Sequence, residues 1–353
     1  MAAPDRIPTL DGWRAFAIAA VIVSHGFLLP GAATRPVRAI GYIAGHLGGT
    51  GVALFFAISG FLITTLLLEE RKQWGRILLR AFYVRRAFRI LPPAYLYLLV
   101  VAGALHRGEL LSAAFFYSNY WPERSSYSQH FWSLSMEEHF YLLWPALLAG
   151  LGAWRALIAA GVLVGATILW RPWSLAHMLL PYPALQRTDM RLDAFLFAGA
   201  LAILLQGPYR TPILRVLTAA WFRVSSFLVL IATWIWTVAG SAPATGILIQ
   251  SALLPCILVS VIHWPGSLGF RFLEIPALRW MGRISYGLYL WQQVFFVHGP
   301  VVTLPAAIEG FLPRIALTFA VATVSYYLLE RPLLNYGRTV AKRFLKPSSI
   351  MEQ

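Results

Sequence analysis

The sequence predicts an all-α integral membrane protein of about ten transmembrane helices with both termini cytoplasmic, and three observations carry that expectation. The 353 residues are 59% hydrophobic and only 12% charged, with a mean hydropathy of +0.66, against roughly 25% charged residues in soluble domains. Apolar runs of spanning length recur along nearly the whole chain. Positive charge divides unevenly between the two sets of connecting loops.

In order, the apolar runs cover residues 12–29, 49–68, 88–105, 133–151, 155–170, 192–206, 224–240, 246–263, 284–301 and 311–329. Several are short or interrupted by proline and glycine. Residues 109–121 are apolar and aromatic but too short to span, and are expected to be re-entrant or interfacial. The first run contains Arg14 and lacks a small-residue cleavage site, so it reads as the first mature helix rather than a signal peptide. One domain is expected over 1–353, with a short cytoplasmic tail from about 330. That leaves no room for an appended soluble domain and assigns any chemistry to the membrane body. No repeat at solenoid period and no low-complexity tract interrupts this pattern.

The net charge of +15 invites a nucleic-acid reading, and its distribution argues against one. With a cytoplasmic N-terminus, twenty of the Lys and Arg residues fall inside, eight outside, and one, Arg14, within a span. Most of the excess is therefore positive-inside topology, and nucleic acid is not an expected partner. The single cysteine, Cys256, lies in a span, which excludes an internal disulfide or a cysteine metal cluster. No metal site, P-loop or serine elbow is evident. The glycine cluster GHLGGTG at 45–51 lacks the lysine and serine of a P-loop and is expected to allow close helix packing instead.

Polar groups inside the spans are the informative exceptions, because ionisable residues in a membrane are costly and mark functional sites by default. Arg14 and His25 are eleven residues apart in one apolar segment. On a helix this places both on one face, roughly 16 Å apart along the axis. The alternative is an interfacial anchor and a satisfied interior histidine. In the loop 69–89, Arg85, Arg86 and Arg89 are spaced to form a guanidinium cluster on one helix face. It fits either anionic lipid headgroups or the phosphates of a soluble anionic cofactor. Pro92 and Pro93 follow, and are expected to open the first turn or kink the helix.

The segment 130–144 brings Glu137, Glu138 and His139 to the outer end of a span, with Ser133, Ser135 and Tyr141 nearby. Adjacent residues point about 100° apart, so only one of the two glutamates is expected to face the bundle interior. Arg187, Asp189, Arg191 and Asp193 cluster at the start of the sixth run, as ion pairs and caps or as a polar wall for an outer substrate. Ser285, Tyr286, Tyr289, Trp291, Gln292 and Gln293 give the ninth run a hydrogen-bonding interior. Glu330, Arg331 and Pro332 close the last run, where a proline stop and a structural pair suffice.

Seven segments together resemble the membrane acyltransferase-3 family of integral-membrane O-acetylases. They are LDGWRAFAIAAVIVSHGF, GVALFFAISGFLIT, FYVRRAFRILPPAY, WSLSMEEHFYLLWP, MRLDAFLFAG, MGRISYGLYLW and YYLLERP, in the family's order from residue 9 to 332. The resemblance implies a ten-helix bundle in a bacterial inner membrane, moving an acetyl or longer acyl group from cytoplasmic acyl-CoA to a hydroxyl of a carbohydrate. By position, Arg14 and His25 match the family's essential pair, and Arg85, Arg86 and Arg89 its basic segment. Glu137 matches the glutamate of the tryptophan–serine–leucine motif. Gln292 departs from the pattern, since many relatives carry histidine after YLW.

On that resemblance, the CoA phosphates are expected on Arg85, Arg86 and Arg89, with acyl-CoA a transient donor and no permanently bound cofactor. His25 is the expected general base, with Glu137 orienting it or binding the acceptor, and Arg14 polarising the carbonyl or holding the CoA arm. A transient acetyl-histidine with ping-pong kinetics is the competing route. Glu138, Tyr141, Arg191, Asp193 and Gln292 are expected substrate contacts. The remaining functional alternatives are acylation of a macrolide or other small hydroxylated metabolite, and a secondary transporter or flippase, which would also use buried Arg, His and Glu.

Overall fold

The computed structural model describes residues 7–26, 44–180, 183–238, 243–296 and 310–344, and all secondary structure among them is helical. The chain forms α1 (Pro8–Gly26), α2 (Leu47–Trp74), α3 (Leu79–Val101), α4 (Arg107–Ala114) and α5 (Phe131–Ala176). There follow α6 (Asp193–Leu204), α7 (Arg210–Leu217), α8 (Ala220–Val238), α9 (Pro243–Ile262), α10 (Leu268–Leu273) and α11 (Pro276–Arg283). The last elements are α12 (Ser285–Phe296), α13 (Phe311–Ser325), a π-helical turn (Tyr326–Glu330) and α14 (Arg331–Lys342).

Each predicted apolar run coincides with helix, although residues 27–29, 239–240, 297–301 and the tail beyond 344 lie outside the described residues. Among the described residues, six helical runs are long and apolar enough to cross a membrane. One of them, α5, is 46 residues long, about 69 Å if straight, more than twice a hydrocarbon core. It breaks at Gly152 (φ 77°, ψ 169°), between the fourth and fifth predicted spans. A side chain there would be strained, so glycine supplies the turn. The shorter α6, at 12 residues, rises only about 18 Å. Among the described residues, helix length alone accounts for six crossings.

The predicted interfacial stretch at 109–121 becomes α4 and a 3₁₀ turn at Ser118–Tyr120. Its Glu109 is buried and accepts hydrogen bonds from Ser125 N (2.6 Å), Ser125 Oγ (2.5 Å) and Ser128 Oγ. Tyr97 of α3 donates to the Tyr127 carbonyl (2.7 Å), and Gln293 of α12 to the Ser126 carbonyl (2.5 Å). The connector between α4 and α5 is thus tied to the bundle at three points.

At the centre, α1 packs on α2, α11 and α12, and α2 packs on α6. A Cβ on Gly51 would meet the Ala17 carbonyl oxygen at 2.5 Å, so the glycine lets α1 and α2 touch backbone to backbone, as the glycine cluster predicts. Phe56, Phe140 and Phe195 stack between α2, α5 and α6, with centroids 4.4 and 4.7 Å apart. On the outside, α8 exposes Trp221, Val224, Phe227, Leu228 and Ile235, and α5 exposes Trp154, Ile158, Val162 and Leu169. Apolar surface of that extent is stable only against lipid.

Candidate active site

Five helices, α1, α2, α3, α5 and α12, line one cavity of about 70 Å³ around Arg14, Arg86, Arg89, Glu137, Glu138 and Tyr141. Of these, α2 supplies mainly apolar wall and one hydroxyl, Ser59.

Arg14 reaches the cavity from the first turns of α1 and is paired 3.1 Å from Asp11, one helical turn earlier. Asp11 is a partner that sequence reading passed over, although its i,i+3 spacing from Arg14 is legible. The three arginines of α3 separate. Arg86 and Arg89 line the cavity, whereas Arg85, 100° around the helix from Arg86, turns to Glu70 of α2 at 3.2 Å and stays 36% exposed. Arg86 lies over the Tyr141 ring at 4.9 Å and near Phe82 at 5.6 Å. Pro92 and Pro93 fall in the middle of α3 instead of its first turn, because the helix begins nine residues before the predicted span, at Leu79. They remove the helical donors for the carbonyls of Phe88 and Arg89, beside the cavity.

Both glutamates of α5 line the cavity, which corrects the expectation that only one would. The 100° between them is real, but the cavity embraces two adjacent stripes of α5, one with Ser133 and Glu137 and the other with Leu134 and Glu138. Glu137 accepts from Ser59 Oγ at 2.8 Å, and Ser59 Oγ lies 3.0 Å from the Tyr141 hydroxyl. One Glu138 oxygen is buried without a hydrogen-bond partner among the described residues. Arg14 pairs with Asp11, and Arg86 and Arg89 share the cavity with Glu137 and Glu138, so acidic groups lie near each buried cation. A lone serine in an apolar helix carries no sequence signal, and Ser59 was not foreseen.

His25 stands farther along α1, outside the cavity lining, with Nδ1 3.2 Å from Gln292 Oε1 of α12. With the Gln292 amide oxygen turned to the ring, Nδ1 is the donor and Nε2 keeps its lone pair; the opposite amide orientation would reverse the two nitrogens. Gln292, not Glu137, holds the His25 ring. Tyr289, one turn before Gln292, joins the two levels. It lines the cavity, its hydroxyl is 2.5 Å from Ser133 Oγ, and it donates to the His130 carbonyl at 3.2 Å.

Arg191 and Asp193 are buried away from this cavity. Asp193 is taken up by Arg171 of α5 at 2.5 Å, and Arg171 also donates to the carbonyls of Met190 (2.6 Å) and Ala244 (3.2 Å). The ion-pair reading therefore accounts for Asp193, with a partner from another helix. Arg191 lies over the Trp132 ring at 5.6 Å, and Trp132 packs edge-on against the cavity residue Phe56 at 6.1 Å. Among the described residues no group of His, Cys, Asp and Glu is arranged to hold a metal.

A membrane bundle with a buried arginine–carboxylate cavity below a hydrogen-bonded histidine defines a class of intramembrane site, and comparison with known proteins gives it a family. The acyltransferase-3 family model, described as an acyltransferase domain, matches residues 7–330, and the chain belongs to that family. It is 28% identical to the peptidoglycan O-acetyltransferase OatA of Listeria monocytogenes, over 94% of this chain and 56% of that protein. It is 29% identical to YrhL of Bacillus subtilis, provisionally assigned the same activity, over 96% of this chain and 56% of that one. A provisionally assigned O-acetyltransferase of Staphylococcus aureus is also 29% identical, over 94% and 58%. The chain therefore spans little more than half the length of these curated relatives. No solved structure matches it.

Proposed function

We propose that the chain is a membrane O-acyltransferase that moves an acetyl group from cytoplasmic acyl-CoA to a hydroxyl of a cell-surface carbohydrate. The names of its relatives make peptidoglycan the first acceptor to try. The observation that carries this reading is the His25–Gln292 pair, which leaves His25 Nε2 as a free base inside the bundle.

In this reading the anionic donor arrives at the arginine end. Arg85, the exposed member, meets the phosphates first, with Arg86 and Arg89 inward of it. A cavity of about 70 Å³ is small beside the several hundred Å³ of a typical ligand site. It suits the acyl end of the donor rather than its nucleotide. His25 Nε2 takes the acceptor hydroxyl proton, the oxygen attacks the thioester carbonyl, and the C–S bond breaks. The departing thiolate takes the proton from His25, which returns to its starting state. Arg14 and the Glu137–Ser59–Tyr141 chain hold the reactants in place.

The test is free-CoA release by the purified full chain from acetyl-CoA, with and without peptidoglycan fragments, other glycans and a macrolide. Acceptor-dependent release, lost in His25→Ala at unchanged thermal stability, is the expected result. Retained transfer by His25→Ala would refute the base assignment, and acceptor movement without thioester turnover would favour a transporter.

A further inference from the structure

A second hollow, separate from the reaction cavity, is a groove of about 550 Å³ lined chiefly by Tyr120, Leu163, Thr167, Trp170, Arg187 and Asp189. That volume is within the range of ordinary ligand sites. Leu163, Thr167 and Trp170 share one face of α5 beyond Gly152. Arg187 and Asp189 come from the chain entering α6, and Tyr120 from the 3₁₀ turn Ser118–Tyr120. The polar end is built round Asp189. Its Oδ1 accepts from the Tyr120 hydroxyl (3.2 Å) and Arg187 Nε (3.1 Å), and its Oδ2 from Trp170 Nε1 (2.8 Å). The Arg187 guanidinium lies over the Tyr120 ring, 4.6 Å from its centroid. These contacts fix two rings and two charges in place. A carboxylate has about four lone-pair positions, so Asp189 keeps one open, and the Nη atoms of Arg187 keep their N–H groups. The pair is part-exposed, 24% and 31%.

The fold sets this groove away from the basic connector. A Cβ on Gly152 would meet Arg71 Nη1 at 3.1 Å, so the turn within α5 lies against the basic end of α2. His139, in the half of α5 before Gly152, lies 2.7 Å from Thr188 Oγ1, and Trp170, in the half after it, donates to Asp189. The two halves therefore run back from the turn and meet again at the groove, on the face opposite Arg71. The Tyr120 ring packs 6.0 Å from that of His139, and His139 directly follows Glu138, which lines the reaction cavity. Groove and cavity thus stand on different sides of one helix, about 10 Å thick. A ligand that serves both is a chain of units, not a single one.

We propose that this groove is a second carbohydrate-binding site, which docks a stretch of the acceptor glycan remote from the reacting hydroxyl. This rests on the O-acyltransferase reading. A pyranose has an apolar face, whose weakly positive C–H hydrogens suit the negative face of an aromatic ring. It also has a rim of hydroxyls that both donate and accept. Trp170 and Tyr120 supply the rings, and the open lone pair of Asp189 with the Nη groups of Arg187 matches the rim. Charge decides between a sugar and an anionic lipid headgroup. Arg187 and Asp189 cancel, and among the described residues no other charged side chain lines the groove. A neutral polyol fits that balance, whereas a phosphate meets a cation already paired. The groove holds substrate and transition state alike, so it acts on acceptor KM rather than kcat.

The experiment uses the purified full chain as wild type, Trp170→Leu, Trp170→Phe and Arg187→Gln, with thermal stability measured for each. Equilibrium binding of labelled, peptide-free peptidoglycan strands and of N-acetylglucosamine oligomers is read without acetyl-CoA, and CoA release gives KM for strands and for their disaccharide unit. Wild type should bind a strand saturably and show a strand KM at least about tenfold below that of the disaccharide. Trp170→Leu should weaken binding about tenfold, the size of one good aromatic contact, and lose that preference for strands. Trp170→Phe loses the N–H but keeps a ring, and should bind within about threefold of wild type. Arg187→Gln, at a part-exposed position, should weaken binding about three- to tenfold and decides the matter if Trp170→Leu does not fold. Wild-type affinity in folded Trp170→Leu, or equal losses in Leu and Phe, would overturn the groove, as would failure of wild type to bind either glycan while it releases CoA. Displacement of the strand by a short-chain anionic phospholipid would overturn it in favour of a lipid site. Strand binding by a wild type that releases no CoA would instead refute the O-acyltransferase reading, and with it the acceptor role of the bound glycan.

Discussion

His25 Nδ1 lies 3.2 Å from Gln292 Oε1, a bond between the first helix and α12 that orients the imidazole. Gln292 occupies the position where many relatives are expected to carry histidine. An amide performs one half of what a second imidazole would, since it orients the first ring without titrating. Gln292→Leu should therefore lower kcat by about 10- to 100-fold, less than the roughly 10²- to 10⁴-fold that a general base itself supplies. Gln292→His should stay within a few fold of wild type. Steady-state CoA release checks both, and an unaffected Gln292→Leu would remove the orienting role.

The split among the α3 arginines makes a second prediction. Arg85→Ala removes a part-exposed pair with Glu70 and should change stability by less than about 1 kcal/mol. Arg86→Ala takes a cation from the cavity and should raise the acyl-CoA KM by about tenfold, the equivalent of one charge-assisted hydrogen bond of about 1.4 kcal/mol. A fall in thermal stability with KM unchanged would instead assign Arg86 to the support of Glu137 and Glu138.

The Arg171–Asp193 pair, with side chains 2% and 0% exposed, predicts a stability effect without a catalytic one. Asp193→Ala leaves a buried guanidinium uncompensated and should cost about 3–5 kcal/mol. Replacing both members, by Arg171→Met with Asp193→Leu, should recover most of that loss. Thermal unfolding of the three variants in detergent decides it, and additive losses in the double variant would contradict the pairing.

Glu109 concentrates three donors on one carboxylate oxygen. Glu109→Gln should destabilise the fold by about 1.5–3 kcal/mol, the range for a hydrogen bond to a charged group. Because the connector it anchors leads directly into α5, which carries Glu137, kcat should fall as well, while acyl-CoA KM should hold. A stability loss with unchanged kcat would separate the connector from the chemistry.

Much of this site is legible in the chain. The Arg14–His25 spacing, the α3 arginines and the motif around Glu137 are local patterns, and the cavity gathers Arg14, Arg86, Arg89, Glu137, Glu138 and Tyr141 from them. Ser59 and Asp11 were not foreseen. Ser59 owes its interest to a neighbour 78 residues distant, Glu137. Arg191 and Asp193, which look like part of an outer substrate wall in sequence, are drawn off by Trp132 and Arg171.

By itself the sequence determined that this is a helical membrane protein, which segments form apolar helix, and which of them carry charge that apolar surroundings do not favour. Those are properties of local composition and of the 3.6-residue period, and they need no knowledge of what lies opposite. Only the tertiary structure decided which charges meet. It turned Arg85 away from the cavity, opened that cavity to both glutamates and gave His25 an amide partner. Each outcome depends on which helix packs against which face, and that is set by backbone approach at residues such as Gly51 and by a turn at Gly152, across separations that no local pattern records.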